Sequence, residues 1–175
     1  MKTIKIRVDG LTPLLQSNGA QVLLPKVPQQ RQKQQEFDPQ GQAALAAYKT
    51  KDGTFGHPTA AFRGAFIAAA KQYRIGKRYT STVLAGALEI EPTELVSLTD
   101  QEGNPLSSYE VDVRVIVNHN AGGARLPSAK PRFDDWHCFL TLHLDENVWP
   151  EGYDEQLDEI MRYAGCAIGV GSGRP

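Results

Sequence analysis

Between Trp136 and Leu144 apolar side chains take every second position: Trp136, Cys138, Leu140, Leu142 and Leu144 alternate with His137, Phe139, Thr141 and His143. Successive side chains of a β-strand point to opposite faces, so this run predicts a strand with one face in a core. Such a strand needs sheet partners and a layer over its apolar face. Two other runs alternate in the same way. Ile4, Ile6 and Val8 share a face between Thr3 and Val8, and Val111, Val113, Val115 and Val117 share one between Tyr109 and Val117. Val83 to Ile90, ending near Pro92, reads as a further strand region. Leu11, Leu14 and Leu15 are expected to continue into the core past Pro13.

The covering layer comes from two helical patterns. From Ala60 to Tyr73 the residues Phe62, Phe66, Ala69 and Tyr73 fall on one face, with Thr59 as the expected N-cap. Gly64 costs this helix about 1 kcal/mol relative to alanine, which points to close packing or a nearby ligand. From Tyr153 to Gly165 the apolar face is Leu157, Ile160, Met161 and Ala164. Asp154, Glu155, Asp158 and Glu159 lie in its early turns, where the positive dipole end favours them. Gly165 is the expected C′ residue, and Ala167 to Val170 a last strand. The order is β-α-β-β-α-β, an α+β, ferredoxin-like (RRM-like) arrangement. Residues from about 107 to 133 would project from it as an inserted, thumb-like β-hairpin with a loop tip at Asn118 to Arg125. With 175 residues and 41% hydrophobic content, the chain suits one domain, 1–175. Residues 25 to 42 are Gln-rich and polar and predict a mobile loop, reaching to about residue 58, with a short helix through Gly41 to Tyr48.

No apolar run approaches the roughly 20 residues a membrane helix needs, and the N-terminus lacks the apolar stretch of a signal peptide. Cys138 and Cys166 lack metal-binding or disulfide-framework spacing. These features predict a cytoplasmic setting with no metal and no cofactor. The net charge of −1 hides segregation. Thr59 to Leu88 holds Arg63, Lys71, Arg74, Lys77 and Arg78 and no acidic residue. Val111 to Arg132 holds Arg114, Arg125, Lys130 and Arg132 against Asp112 alone. Asp134 to Glu159 has nine acidic residues and no lysine or arginine. Such basic stretches suit a phosphate backbone, whose counterions they release. Tyr79, beside Lys77 and Arg78, is the best-placed aromatic for stacking a base.

The chain ends in the run Gly165-Cys166-Ala167-Ile168-Gly169-Val170-Gly171-Ser172-Gly173-Arg174-Pro175. Glycine lets backbone amides approach a ligand and allows positive φ. Of the four histidines, His57 at a helix start is the best candidate for an acid or base, and His119 lies at the thumb tip. No Ser-His-Asp, HExxH or P-loop spacing occurs.

Three features resemble the RAMP superfamily, best known as backbone and processing subunits of CRISPR effector complexes. One is the helix start His57-Pro58-Thr59-Ala60-Ala61-Phe62-Arg63-Gly64-Ala65-Phe66. Another is Pro131-Arg132-Phe133 to Trp136, followed by a strand and a helix. The last is Gly165-x-x-Ile168-Gly169-x-Gly171-x-x-Arg174-Pro175. Family members usually continue past that loop, whereas this sequence ends at Pro175. The resemblance implies binding of single-stranded guide RNA by repeated copies of the chain alongside other effector subunits. It implicates Arg63, Gly169, Gly171, Gly173 and Arg174 in RNA contact, and places the thumb near Arg114 to Arg132. Two other readings remain open. One is a metal-independent endoribonuclease using His57. The other is a decoy that blocks effector assembly without binding nucleic acid.

Overall fold

The computed structural model describes residues 1–19, 37–118 and 123–172. In chain order its elements are β1 (Lys2–Asp9), β2 (Leu14–Leu15), α1 (Pro39–Ala46), β3 (Gly56–Pro58), α2 (Thr59–Ala69), β4 (Arg74–Ile75) and β5 (Arg78–Tyr79). There follow α3 (Thr80–Ala87), β6 (Leu88–Glu91), β7 (Leu95–Ser97), β8 (Glu110–Asn118), β9 (Ala124–Phe133), β10 (His137–Leu144) and α4 (Asp154–Tyr163). The architecture is mixed α/β with small antiparallel sheets. Among the described residues, no helix is long and apolar enough to cross a membrane.

The alternating run at 136–144 becomes β10, the middle strand of the order β1-β10-β6. Ile6 lies opposite Leu140, and Leu142 opposite both Ile4 and Ile90, so the apolar positions of three strands share one face. Phe62 and Phe66 of α2 and Leu157 and Ile160 of α4 belong to the same buried cluster as Cys138, Leu140, Leu142 and Leu144. The other face carries Arg7, Phe139, Thr141 and His143, with Phe139 exposed. A second sheet, β2-β9-β8, contains the expected hairpin, with Val113 opposite Ala129 and Val115 opposite Pro127. Helix α1 packs against β9. Gln42 fastens it there by accepting the Ala129 amide hydrogen.

Several expectations are corrected. Val83 to Ile90 is not one strand: Thr80 to Ala87 is α3, and only Leu88 begins β6. Val83, Leu84 and Ala87 bury a helical face, whereas Leu88 and Ile90 bury alternate strand positions, so the apolar run holds both periods. Ala167 to Val170 is not a strand either. The chain leaves α4 through a π-helical turn at Ala164–Ile168, and the positive-φ residue that stops it is Gly169, not Gly165. Thr59 opens α2 as a helical residue with Pro58 before it, and its hydroxyl makes no cap bond. Leu11 is exposed, while Leu14 and Leu15 are buried. Within the span expected to be a loop, the expected short helix is present as α1, starting and ending two residues earlier at Pro39 and Ala46, and β3 is an element the sequence did not predict. Asp38 accepts the Gly41 amide hydrogen at 3.0 Å, and Pro39 occupies the first turn of α1. The Gln-rich remainder up to Glu36 and the hairpin tip with His119 lie outside the described residues.

Candidate nucleic-acid interface

Pro58-Thr59-Ala60-Ala61 puts small side chains around the first turn of α2, and Gly64 continues that surface one turn later. A Cβ built on Gly64 would meet nothing within 4 Å, so this glycine leaves space open instead of relieving a clash. Facing it is the glycine run. The Gly169 amide donates to the Ala164 carbonyl at 2.8 Å, and the Ser172 amide donates to the Leu15 carbonyl at 2.7 Å. Gly171 has φ +94, and a Cβ there would stand 2.5 Å from Leu14 Cδ1 and 3.0 Å from the Leu15 oxygen. Only glycine tolerates that conformation and that approach together. The Lys130 ammonium donates to the Ser172 hydroxyl, tying the base of the hairpin to the loop.

The helix start and the glycine loop, about a hundred positions apart in sequence, therefore line one open cleft of about 460 Å³, with Ser17, Tyr48 and His57 completing its wall. Beneath this wall lies Gln16, fully buried. Its amide nitrogen donates to the Gly56 carbonyl at 2.7 Å, and its amide oxygen accepts the Tyr48 amide hydrogen at 2.9 Å. One side chain thus locks β2, the exit of α1 and β3 together. His57 is buried too, with Tyr48 and Phe62 rings edge-on to it at 6.0 Å and 5.7 Å. Burial holds its pKa down at about 4, so it is neutral at neutral pH. Its Nε2 is buried without a hydrogen-bond partner among the described residues. A neutral, enclosed imidazole is poorly suited to protonate a leaving group at pH 7.

The other expected contact residues divide sharply. Arg63 is half-buried, donating from Nη2 to the Ala85 carbonyl at 2.6 Å and from Nε to the Leu88 carbonyl at 3.3 Å. It fastens α2 to the junction of α3 and β6. Arg114 donates twice to Asp112, at 2.6 Å and 3.0 Å, and its guanidinium pulls that carboxyl below its usual range. Arg132 pairs with Asp134 at 2.6 Å. Arg125 is exposed on β9 beside a shallow hollow formed with Val115, Val117 and Pro127. Lys71, Arg74, Lys77, Arg78 and Tyr79 are all exposed and cluster around the short ribbon β4–β5. Gly169 and Gly171 line the cleft, whereas Gly173 and Arg174 lie outside the described residues. Gln16 and Ser17 follow the apolar pair Leu14–Leu15 and Tyr48 ends the expected short helix from Gly41, and none of the three carries a functional signal in the sequence. No protein-family model matches this chain, and no curated protein matches it.

Proposed function

We propose that this chain is a single-stranded-RNA-binding subunit of RAMP type, holding a stretch of RNA backbone in the cleft between α2 and the Gly169–Ser172 loop. The observation that carries the reading is the meeting of the two resemblance motifs in that cleft. The first turn of α2 contains no acidic residue. Although the Thr59 amide donates to the Glu94 carbonyl at 3.0 Å, the next amides, of Ala60 and Ala61, lie at the positive end of the helix dipole, which favours a phosphate. Small side chains and glycine leave room for a sugar-phosphate chain rather than for one enclosed small molecule.

The fold agrees with this reading. Numbered by the β-α-β-β-α-β order, β1, β6 and β10 are the first, second and third strands, and the order β1-β10-β6 puts the third between the first two. That order supports a ferredoxin-like reading in which α2 and α4 serve as the two helices. The hairpin suits contact between copies along an RNA, because Val113, Val115 and Val117 expose apolar side chains on one of its faces, and Ile116 and Leu126, paired across the strands, do so on the other.

Anisotropy of a labelled oligoribonucleotide tests the cleft. Gly64→Glu places a carboxylate and added bulk in it at no packing cost, and glutamate is a better helix former than glycine. Affinity is expected to fall about tenfold or more, equivalent to at least ~1.4 kcal/mol, with thermal stability kept. Unchanged affinity overturns the assignment. A protein that binds no RNA yet captures effector subunits is the decoy.

A further inference from the structure

We infer that the ribbon β4–β5 is a second contact for single-stranded nucleic acid, with Tyr79 and Arg74 forming a platform on which a base stacks. This contact is separate from the cleft and stands whether or not the cleft holds phosphate. The local sequence builds it directly. Gly76 adopts φ +58 at the turn Gly76-Lys77, which folds Arg74 opposite Tyr79 and Ile75 opposite Arg78. The Arg74 guanidinium then lies over the Tyr79 ring, 4.1 Å from its centroid. Tyr79 as a whole remains 53% exposed, so the pair offers a cationic, solvent-facing aromatic surface.

The surrounding charge identifies the occupant. Lys71, Arg74, Lys77 and Arg78 are exposed, and among the described residues none makes an ion pair. Lys2, Arg7, Arg114, Arg132 and Arg162 each have a carboxylate partner, whereas Lys5, Lys49, Lys51, Arg63, Arg125 and Lys130, like the ribbon cations, make no ion pair among the described residues. The ribbon differs in gathering four such exposed cations around one exposed aromatic residue. An acidic helix lies close by, since Gln156 of α4 donates to the Arg74 carbonyl at 3.3 Å. Yet Asp154 and Asp158 of that helix pair with Lys2 and Arg162, Glu155 and Glu159 make no ion pair among the described residues, and none of the four pairs with a ribbon cation. An acidic protein would need only the positive charge. The exposed aromatic residue beneath a guanidinium adds a preference for a π-face, which every nucleobase has and a carboxylate lacks. With a net charge of −1, the chain has no general attraction for polyanions, so a local cluster must supply it.

The platform follows the end of α2, and the cleft opens at its start. Fourteen residues, Thr59 to Gln72, separate them in helical conformation, or roughly 20 Å at about 1.5 Å per residue.

The test is anisotropy of a fluorescein-labelled oligouridylate on the wild-type chain, Tyr79→Ala, Tyr79→Phe, and the double variant Lys77→Ala with Arg78→Ala. Tyr79→Ala is expected to weaken binding about tenfold, within the range for loss of one stacked base, while Tyr79→Phe keeps near wild-type affinity. The double variant is expected to lower the slope of log affinity against log salt by about 1.4, at ~0.7 per single-strand phosphate. Wild-type affinity in Tyr79→Ala overturns the proposal, as does polyglutamate competing as well as unlabelled oligouridylate, which identifies an acidic-protein site instead. Gly64→Glu, measured alongside, separates the two contacts. Loss in that variant with none in the ribbon variants leaves the cleft and removes the platform; the reverse leaves the platform and removes the cleft.

Discussion

Strand β10 and the hairpin β8–β9 carry the same period-two signature but have opposite surroundings. On β10, Cys138, Leu140, Leu142 and Leu144 are each at most 1% exposed, because α2 and α4 cover that face. On β8, Val113, Val115 and Val117 are about half exposed or more, although they alternate just as cleanly. Helix α1 covers the base of the hairpin, where Ala129 and Pro131 are buried, and stops short of its outer part. Alternation therefore reports backbone conformation and one apolar face; whether a second layer covers that face depends on the rest of the chain. An apolar face without intramolecular cover is a surface for another molecule, or a liability.

This contrast is open to direct attack. Leu140→Ala removes a fully enclosed side chain and is expected to lower unfolding free energy by about 2–5 kcal/mol in urea titration. A loss near that for an exposed residue would mean that β10 is not the centre of the core.

His57 gives a second large effect, visible through pH. Its pKa is about 4 in the fold against 6.5 in the free state. As pH falls the unfolded chain takes up this proton first, so the neutral fold keeps its full stability above about pH 6.5. The loss accumulates between there and pH 4, reaching about 3 kcal/mol. Urea titrations of wild type and His57→Asn across this window should differ in slope, with the variant flatter. Equal slopes would show that His57 is open to solvent.

Gly171→Ala tests the loop beneath the cleft. The positive φ and the approach to Leu14 predict a stability loss of about 1–3 kcal/mol and weaker RNA binding together. The smallest effect on folding is expected at the hairpin. Val115→Ala should change stability by no more than about 0.5 kcal/mol, while light scattering shows reduced self-association. A loss as large as that of Leu140→Ala would erase the contrast with β10.

Much of this was legible residue by residue. Leu140 and Leu142 declared a half-buried strand, Ile4 and Ile6 its partner, and Leu157 and Ile160 the helix above them. Val83 to Ile90 resisted, because Val83, Leu84 and Ala87 satisfy a helix while Leu88 and Ile90 satisfy a strand. The end of α4 resisted as well: Gly165 and Gly169 both suit a left-handed stop, and a π-helical turn carries the chain to the later one. In the cleft, the glycine run and the helix start were visible as separate signals. Gln16 was invisible, since nothing in its neighbourhood announces a buried amide that joins three segments.

Local periodicity and glycine placement, then, determined which segments are strands and helices and which backbones can approach a ligand, because these follow from φ/ψ preferences and side-chain spacing along a few residues. Only the tertiary structure decided that the two motifs share a cleft, that Arg63 and Arg114 are engaged while the ribbon cations make no ion pair among the described residues, and that one alternating face is covered and another is not. Those outcomes depend on which distant segments reach hydrogen-bond and packing distance, and that information is spread over the whole chain.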